Sequence, residues 1–442
     1  MRSGSMCAGT PFLLIPGGLQ VSTQRTFPQQ ATVAITLLAL GPFGFGYFLS
    51  YFFRAVNAVV APDLVKELGL KPDELGLLTA AYLGAFALFQ LPLGVLLDRY
   101  GPRRVQTVLL SIAALGALLF AMSTNALALS AARAMIGLGF AGGLMAGFKA
   151  VVIWVSPPRR ALANSFVMSA GALGLLVSTA PMEFAIQAYG WRNVFVTLAG
   201  VTLQAALIVY VFVPERHVEP SGETLGRQIA QIARIFRDRA FWALAPILAT
   251  TAGSHIAIQT LWAGHWFRDV AGLDRTATAG QLFLMAFAFL VGILLSGAIA
   301  DWFVRRGVSV LTVMFGFLAA YLVAQAGIVA GITDTYGMPA IWFVFGMSGQ
   351  VAVLAYPWFS THFGAELSGR AHTAINLMLF LAAFAIQYAI GNLIGQYAPL
   401  PAGGYAPEAY QYAFGIFLAL QILTLLWFLI NASALKKPAA SA

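Results

Sequence analysis

Three basic side chains sit inside long apolar stretches: Arg54, Arg133 and Lys149. A cation in the interior of an apolar segment costs a few kcal/mol even on insertion scales, and it is kept where it has a task. Glu183 is the one carboxylate placed inside such a stretch; the other Asp and Glu fall between stretches or at their ends. A cavity lined by Arg and Lys without acidic partners takes its counter-charge from a ligand, so the ligand that fits is an anion. Arg54 stands in Tyr51-Phe52-Phe53-Arg54, with Asn57 three residues on and Pro62 eight residues on. Counting roughly 1.5 Å per residue from Thr32 puts it near an interface, where a long side chain snorkels to water. Counting from Ile35 puts it inside, where Arg54, Tyr51 and Asn57 are anion-binding candidates. Lys149 follows Arg133 by sixteen residues, roughly 24 Å along one helix, so the two lie at different depths. Lys149 either faces the same cavity or reaches the nearer interface.

A second group lies further along. His255, Gln259, Trp262 and Trp266 fall on one face of a helix. They offer a titratable ring, an amide and indoles; His265 is nearer the end of the same stretch. His255, Gln259 and Trp262 are therefore binding candidates. His255 has an ordinary pKa near neutrality and can carry a proton if it faces a cavity. The alternative is a neutral histidine bonded to a neighbouring helix. Asn376, Gln387, Tyr388 and Asn392 add polar groups in a later stretch, where packing explains them equally well. No nucleophile–base set appears, the five His have no ligand-like spacing, and Cys7 is the single cysteine. No metal site, no cofactor and no enzyme activity is expected. The Gly-x-x-x-x-Gly-Lys-Ser/Thr phosphate cradle is missing as well, which argues against ATP as an energy source.

The elements that must position these residues follow from composition. The chain has 442 residues, 60% of them apolar and only 9% charged, against about 25% charged in soluble domains. That is too little charge to cover a water-facing surface, and it excludes a soluble enzyme. The net charge of +9 is spread along the chain rather than gathered in a patch, so no nucleic-acid partner is expected. A spanning helix needs roughly 20 mostly apolar residues. Twelve stretches qualify, α1 to α12: Thr32–Ala61, Leu75–Leu97, Val105–Ser123, Ala126–Val155, Ala161–Ala185, Asn193–Val213, Ala240–Phe267, Thr276–Ala300, Val308–Ile332, Gly337–Thr361, Ala371–Gln396 and Tyr410–Ala432. The fold class is an all-α polytopic membrane protein with the lipid bilayer as its solvent.

With the N-terminus in the cytoplasm, seventeen Lys and Arg fall on the cytoplasmic side and five on the other. That bias puts both termini in the cytoplasm. Residues 1–31 read as a disordered cytoplasmic tail and 434–442 as a second one. The basic stretch 214–239 reads as a cytoplasmic amphipathic linker between the halves 32–213 and 240–433.

The halves echo each other. Gly94-x-x-x-Asp98-Arg99-Tyr100-Gly101-Pro102-Arg103-Arg104 follows α2, and Gly297-x-x-x-Asp301, with Arg305-Arg306, follows α8. With these loops and twelve spans, the sequence resembles the major facilitator superfamily, with Pro102 set before the Arg pair. The resemblance implies two six-helix bundles rocking about a mid-membrane site, a monomer, and a bacterial inner-membrane transporter. It also implies gating roles for Asp98, Arg99, Arg103, Arg104, Asp301, Arg305 and Arg306; the alternative for these charges is topology alone. Arg133, in Arg133-x-x-x-Gly137-x-Gly139, is similar to the family's α4 signature and is linked there to structure or proton transfer. Helix α1 resembles the organophosphate:phosphate antiporter branch, in which an Arg eight residues before a Pro binds the anion. The implied function is secondary transport of a small organic anion, coupled to protons or a counter-anion. Efflux of amphipathic compounds and a non-transporting sensor are the rivals. Helix α5 lacks the Gly-Pro pair of drug/proton antiporters, which counts against the first rival.

Overall fold

A computed structural model describes residues 29–156, 159–214, 225–349, 351–401 and 403–436; among these residues the chain is helical, without a β-strand. Nine helices among them are long and apolar enough to cross a membrane, and two bent pairs bring the number to eleven. One of the nine, Pro72–Met122, passes through Gly101 at φ 76° and ψ 161°. A left-handed backbone ends a helix, and glycine accepts it without steric cost. The arms 72–100 and 102–122 are thus two spans, α2 and α3, and the twelve expected spans are all accounted for.

The observed bounds differ from the expected ones in instructive ways. Helix α1 is not straight: Leu40–Ala55 and Asn57–Leu68 meet at 44°. Helix α5 is likewise split into Leu162–Val177 and Ala180–Tyr189 at 47°, where Pro181 cannot continue the ladder. The remaining spans are α4, Ala126–Trp154; α6, Trp191–Phe212; α7, Arg239–Asp269; α8, Arg275–Val304; α9, Val310–Val329; α10, Gly337–Gly364; α11, Leu367–Ile394; and α12, Pro407–Leu435. Within α7, Ile258–Trp262 is a π-helical turn. The expected tail 1–31, apart from 29–31 in the first helix, and the stretch 215–224 lie outside the described residues. The rest of the linker holds a helix, Leu225–Ile235, with Ile232 and Ile235 buried.

Small residues bring the spans together, since lipid gives apolar helices no other reason to associate. Gly137 of α4 lies against the Tyr82 carbonyl of α2, and Gly292 of α8 against the Met347 carbonyl of α10; a methyl group at either glycine would overlap that carbonyl. These are matching helix pairs in the two halves, so the internal duplication is visible in packing as well as in the loops. Between the halves, Ala55, Ala172 and Leu175 meet Ala286 and Phe289. On the outside, α6 and α12 expose Tyr210, Val211, Phe212, Leu423 and Ile430, an apolar surface suited to lipid.

Arg99, Arg103 and Arg104, with Arg305 and Arg306, mark a basic end of the bundle, and the α1–α2 connection marks the far end. The far end is closed between the halves. Arg275 at the start of α8 donates to both carboxylate oxygens of Asp63 (3.0 and 2.5 Å) and also pairs with Glu183 on α5. Gly264 of α7 sits beside the Ala58 carbonyl, and Gly76 of α2 beside the backbone of Gln387 and Gly391. Asp269 accepts hydrogen bonds from the Tyr410 hydroxyl and the Tyr405 backbone N–H. Burial, then the carboxylates of Asp73 and Asp269, push the Tyr405 phenol up.

Candidate functional site

Helix α1 turns its Tyr47–Tyr51–Arg54 face toward the middle of the bundle, just before the helix breaks at Val56. Arg54 is only 6% exposed. Its guanidinium lies over three rings: Tyr51 of its own helix (4.5 Å), Phe86 of α2 (5.0 Å) and Phe380 of α11 (5.0 Å). Phe86 and Phe380 face each other across the two halves at 4.4 Å. Tyr51 in turn meets Phe289 of α8 at 6.0 Å. The site is thus walled by aromatic rings from both halves, with one cation on its floor. No described carboxylate pairs with Arg54, and its Nε has no hydrogen-bond partner. Cation–π contacts return about 0.5–2 kcal/mol each but supply no counter-charge, which a bound anion would bring to the desolvated guanidinium.

Three phenols, those of Tyr47, Tyr51 and Tyr82, lie near the cation. The Tyr82 hydroxyl lies beside Arg54 and donates to the Ser50 carbonyl at 3.0 Å. Tyr47 and Tyr51 share an edge-to-face contact at 5.2 Å. From the other half, the Tyr356 hydroxyl donates to Asn376 Oδ1 at 2.5 Å.

The other sequence candidates are distributed differently. Asn57 is buried and donates to Thr79 Oγ1 at 2.9 Å, tying α1 to α2 just past the break. Arg133 is fully buried; it donates to the Phe53 carbonyl at 2.8 Å and covers the Tyr82 ring at 5.0 Å. Lys149 is not at the Arg54 level: its ammonium holds Asp98 at 2.7 Å, at the basic end. His255 is separated from the Arg54 site by Phe289, with its ring against Phe289 (5.8 Å), Tyr321 (5.9 Å) and Phe345 (4.9 Å). Neither nitrogen of that ring meets a hydrogen-bond partner among the described residues. Gln259 and Trp262 lie in the π-turn, both buried, and the Trp262 indole donates to the Gln387 carbonyl at 3.3 Å. The single face drawn through 255, 259, 262 and 266 assumes 3.6 residues per turn, and the π-turn breaks that register.

The loop charges differ in how far they reach. Arg103 donates twice to the Tyr210 carbonyl, at 3.0 and 2.6 Å, and Arg99 covers the neighbouring Tyr100 ring at 5.3 Å. Arg104, Asp301, Arg305 and Arg306 are exposed, and Arg306 stacks on Trp302 at 3.4 Å. Asp98 also lies within electrostatic range of Arg370 at the start of α11, and Arg370 donates to Gln231 of the linker helix at 3.0 Å.

Sequence reasoning missed Phe86, Phe289, Phe380, Tyr356 and the Arg275 pairs. For two of these a signal exists. Phe86 stands eight residues before Gly94, and Phe289 eight residues before Gly297, so the loop repeat brings both rings into register.

Comparison with known proteins adds a third line of evidence. The profile of the Major Facilitator Superfamily matches residues 43–387. The "Probable sulfoacetate transporter SauU" of Cupriavidus necator is 26% identical over 283 residues, 61% of this chain and 66% of that protein, so the chain spans just under two thirds of this relative. The "Probable L-galactonate transporter" of Escherichia coli K12 is 25% identical over 407 residues, 88% of this chain and 85% of that protein. Among solved structures, the bacterial homolog of the human lysosomal transporter Spinster, inward-facing and occupied, superposes with a TM-score of 0.70 at 16% identity, covering 93% of this chain and 98% of that one. It shares the fold.

Proposed function

The chain belongs to the Major Facilitator Superfamily, and from that premise we propose that it carries a small organic anion across a membrane by alternating access, with Arg54 as the anion's partner. One observation carries the reading: a guanidinium buried where the two halves meet, with no carboxylate to answer it. The names of the relatives, a sulfoacetate and a galactonate transporter, point the same way. The basic end would face the cytoplasm of a bacterial cell, and the protein would act as a monomer in the inner membrane.

In this reading the anion's oxygens take the guanidinium edge that the rings leave open. Phenol hydroxyls of Tyr47 and Tyr51 supply further donors. Phe86 and Phe380 close over the bound anion from opposite halves and exclude water. Release toward one side leaves Arg54 buried and unanswered, which is costly. A counter-anion restores the balance on the return stroke. Exchange is the coupling we favour over proton symport, because His255 stands behind Phe289 and no described carboxylate touches Arg54. A cationic drug would meet Arg54 as a like charge, which argues against efflux of such compounds.

The test is uptake by the full chain in proteoliposomes, using labelled organic anions alongside cationic dyes. We expect an anion to enter faster when the lumen is preloaded with unlabelled anion, and Arg54→Gln to lower its binding by roughly 2–5 kcal/mol. Movement of dyes alone, unchanged in Arg54→Gln, overturns the reading. Uptake driven by a pH gradient without preloading overturns the exchange step only.

A further inference from the structure

We propose that the Arg54 site selects a monoanion with a flat apolar body, a carboxylate or sulfonate on an aromatic ring, rather than a polyhydroxylated sugar acid. This rests on the reading that Arg54 is the anion's partner.

Charge counting gives the first half of the inference. Of the buried or half-buried cations near the middle of the bundle, only Arg54 faces rings from both halves. Lys149 is held by Asp98 at 2.7 Å. Arg133 is directed at the Phe53 carbonyl and lies over the Tyr82 ring with no exposed surface. His255 is screened by Phe289. A second negative charge on the ligand would enter a ring-lined space with no second cation among the described residues to meet it, so a dianion is penalised by desolvation.

The walls give the second half. Tyr51, Phe86 and Phe380 all stand within 5.0 Å of the guanidinium carbon, and Phe289 backs Tyr51. Ring faces favour a flat partner in offset or edge geometry. They offer nothing to a row of hydroxyl groups, each of which must find a partner when it leaves water. The phenols can donate to the anionic head or to one hydroxyl. Acceptors are few: Asn376 Oδ1 already takes the Tyr356 hydroxyl at 2.5 Å, and no described carboxylate adjoins the site. An extended polyol would bury several unpaired hydroxyl groups here.

Binding to the purified full chain distinguishes the cases with five probes at pH 7.5: benzoate, benzenesulfonate, terephthalate, galactonate and glucarate. Benzoate or benzenesulfonate should bind at least tenfold tighter than galactonate, and terephthalate at least tenfold weaker than benzoate. Which of the two ring monoanions binds tighter decides between carboxylate and sulfonate heads. Phe380→Leu keeps most of the apolar volume and removes a ring face; it should weaken the ring monoanions several-fold, and by more than it weakens galactonate. Phe86→Leu serves the same purpose should the first variant fail to fold. Galactonate binding as tightly as benzoate, lost in Arg54→Gln, overturns the specificity and leaves the anion site standing. Terephthalate equal to benzoate overturns the charge argument. If no anion binds and a cationic dye does, both this inference and the proposed function fall.

Discussion

Arg54 and Arg133 both lie beside Tyr82, and the difference between them is what each guanidinium faces. Arg133 has a backbone carbonyl, that of Phe53, at 2.8 Å, so it joins α4 to α1 and serves the packing. Arg54 has rings from both halves and an Nε without a partner, which is what the proposed role as an anion's partner requires. Arg133→Gln should therefore lower stability by about 1.5–3 kcal/mol, the worth of a charge-assisted hydrogen bond, seen as a fall in melting temperature with little change in ligand affinity. Arg54→Gln should do the reverse. Equal losses of stability and affinity in both variants would show that the two arginines share one role. The sequence pointed to both residues because a charge in an apolar run is conspicuous. It could not separate Lys149 from them, because a salt bridge to a loop carboxylate 51 residues away depends on tertiary packing.

At the scale of the element, composition located the spans and periodicity did not describe their interiors. The breaks at Val56 and at Ser178–Thr179 and the π-turn at Ile258–Trp262 all fall within apolar runs that read as continuous helix. Pro62 and Pro181 lie just beyond the first two and hint at them; nothing in the residues of α7 announces the third. The breaks in α1 and α5 matter because the short segments after them carry Asp63 and Glu183, which meet Arg275 from α8. Three helices from two halves thus converge on one guanidinium. Arg275→Gln should loosen the far end. In a Cys7→Ser background, a cysteine placed at Ala58, now 3% exposed, should react several-fold faster with a membrane-impermeant maleimide once Arg275 is changed. An unchanged rate would mean that the glycine contacts at Gly264 and Gly76 hold that end without the ion pairs.

On the scale of the whole molecule, the twofold repeat was legible from two loops and a count of twelve, and packing repeats it at Gly137 and Gly292. The functional site breaks that symmetry. Phe86 and Phe289 occupy matching positions, yet only the first half contributes a cation, and the second half answers with Phe380 and Tyr356. That single charge gives the transport cycle an electrical signature. With a monoanion bound, the centre of the membrane holds one positive charge fewer than when the site is empty. A potential of 100 mV acts on an elementary charge with about 2.3 kcal/mol over a full crossing. Exchange of one monoanion for another never reorients the bare guanidinium, so it should be indifferent to voltage. Net transport requires the empty protein to turn over with its extra charge, so its rate should bend with the potential. A potassium diffusion potential imposed on proteoliposomes should therefore alter net uptake and leave counterflow unchanged, and a voltage effect on counterflow would place another moving charge in the cycle.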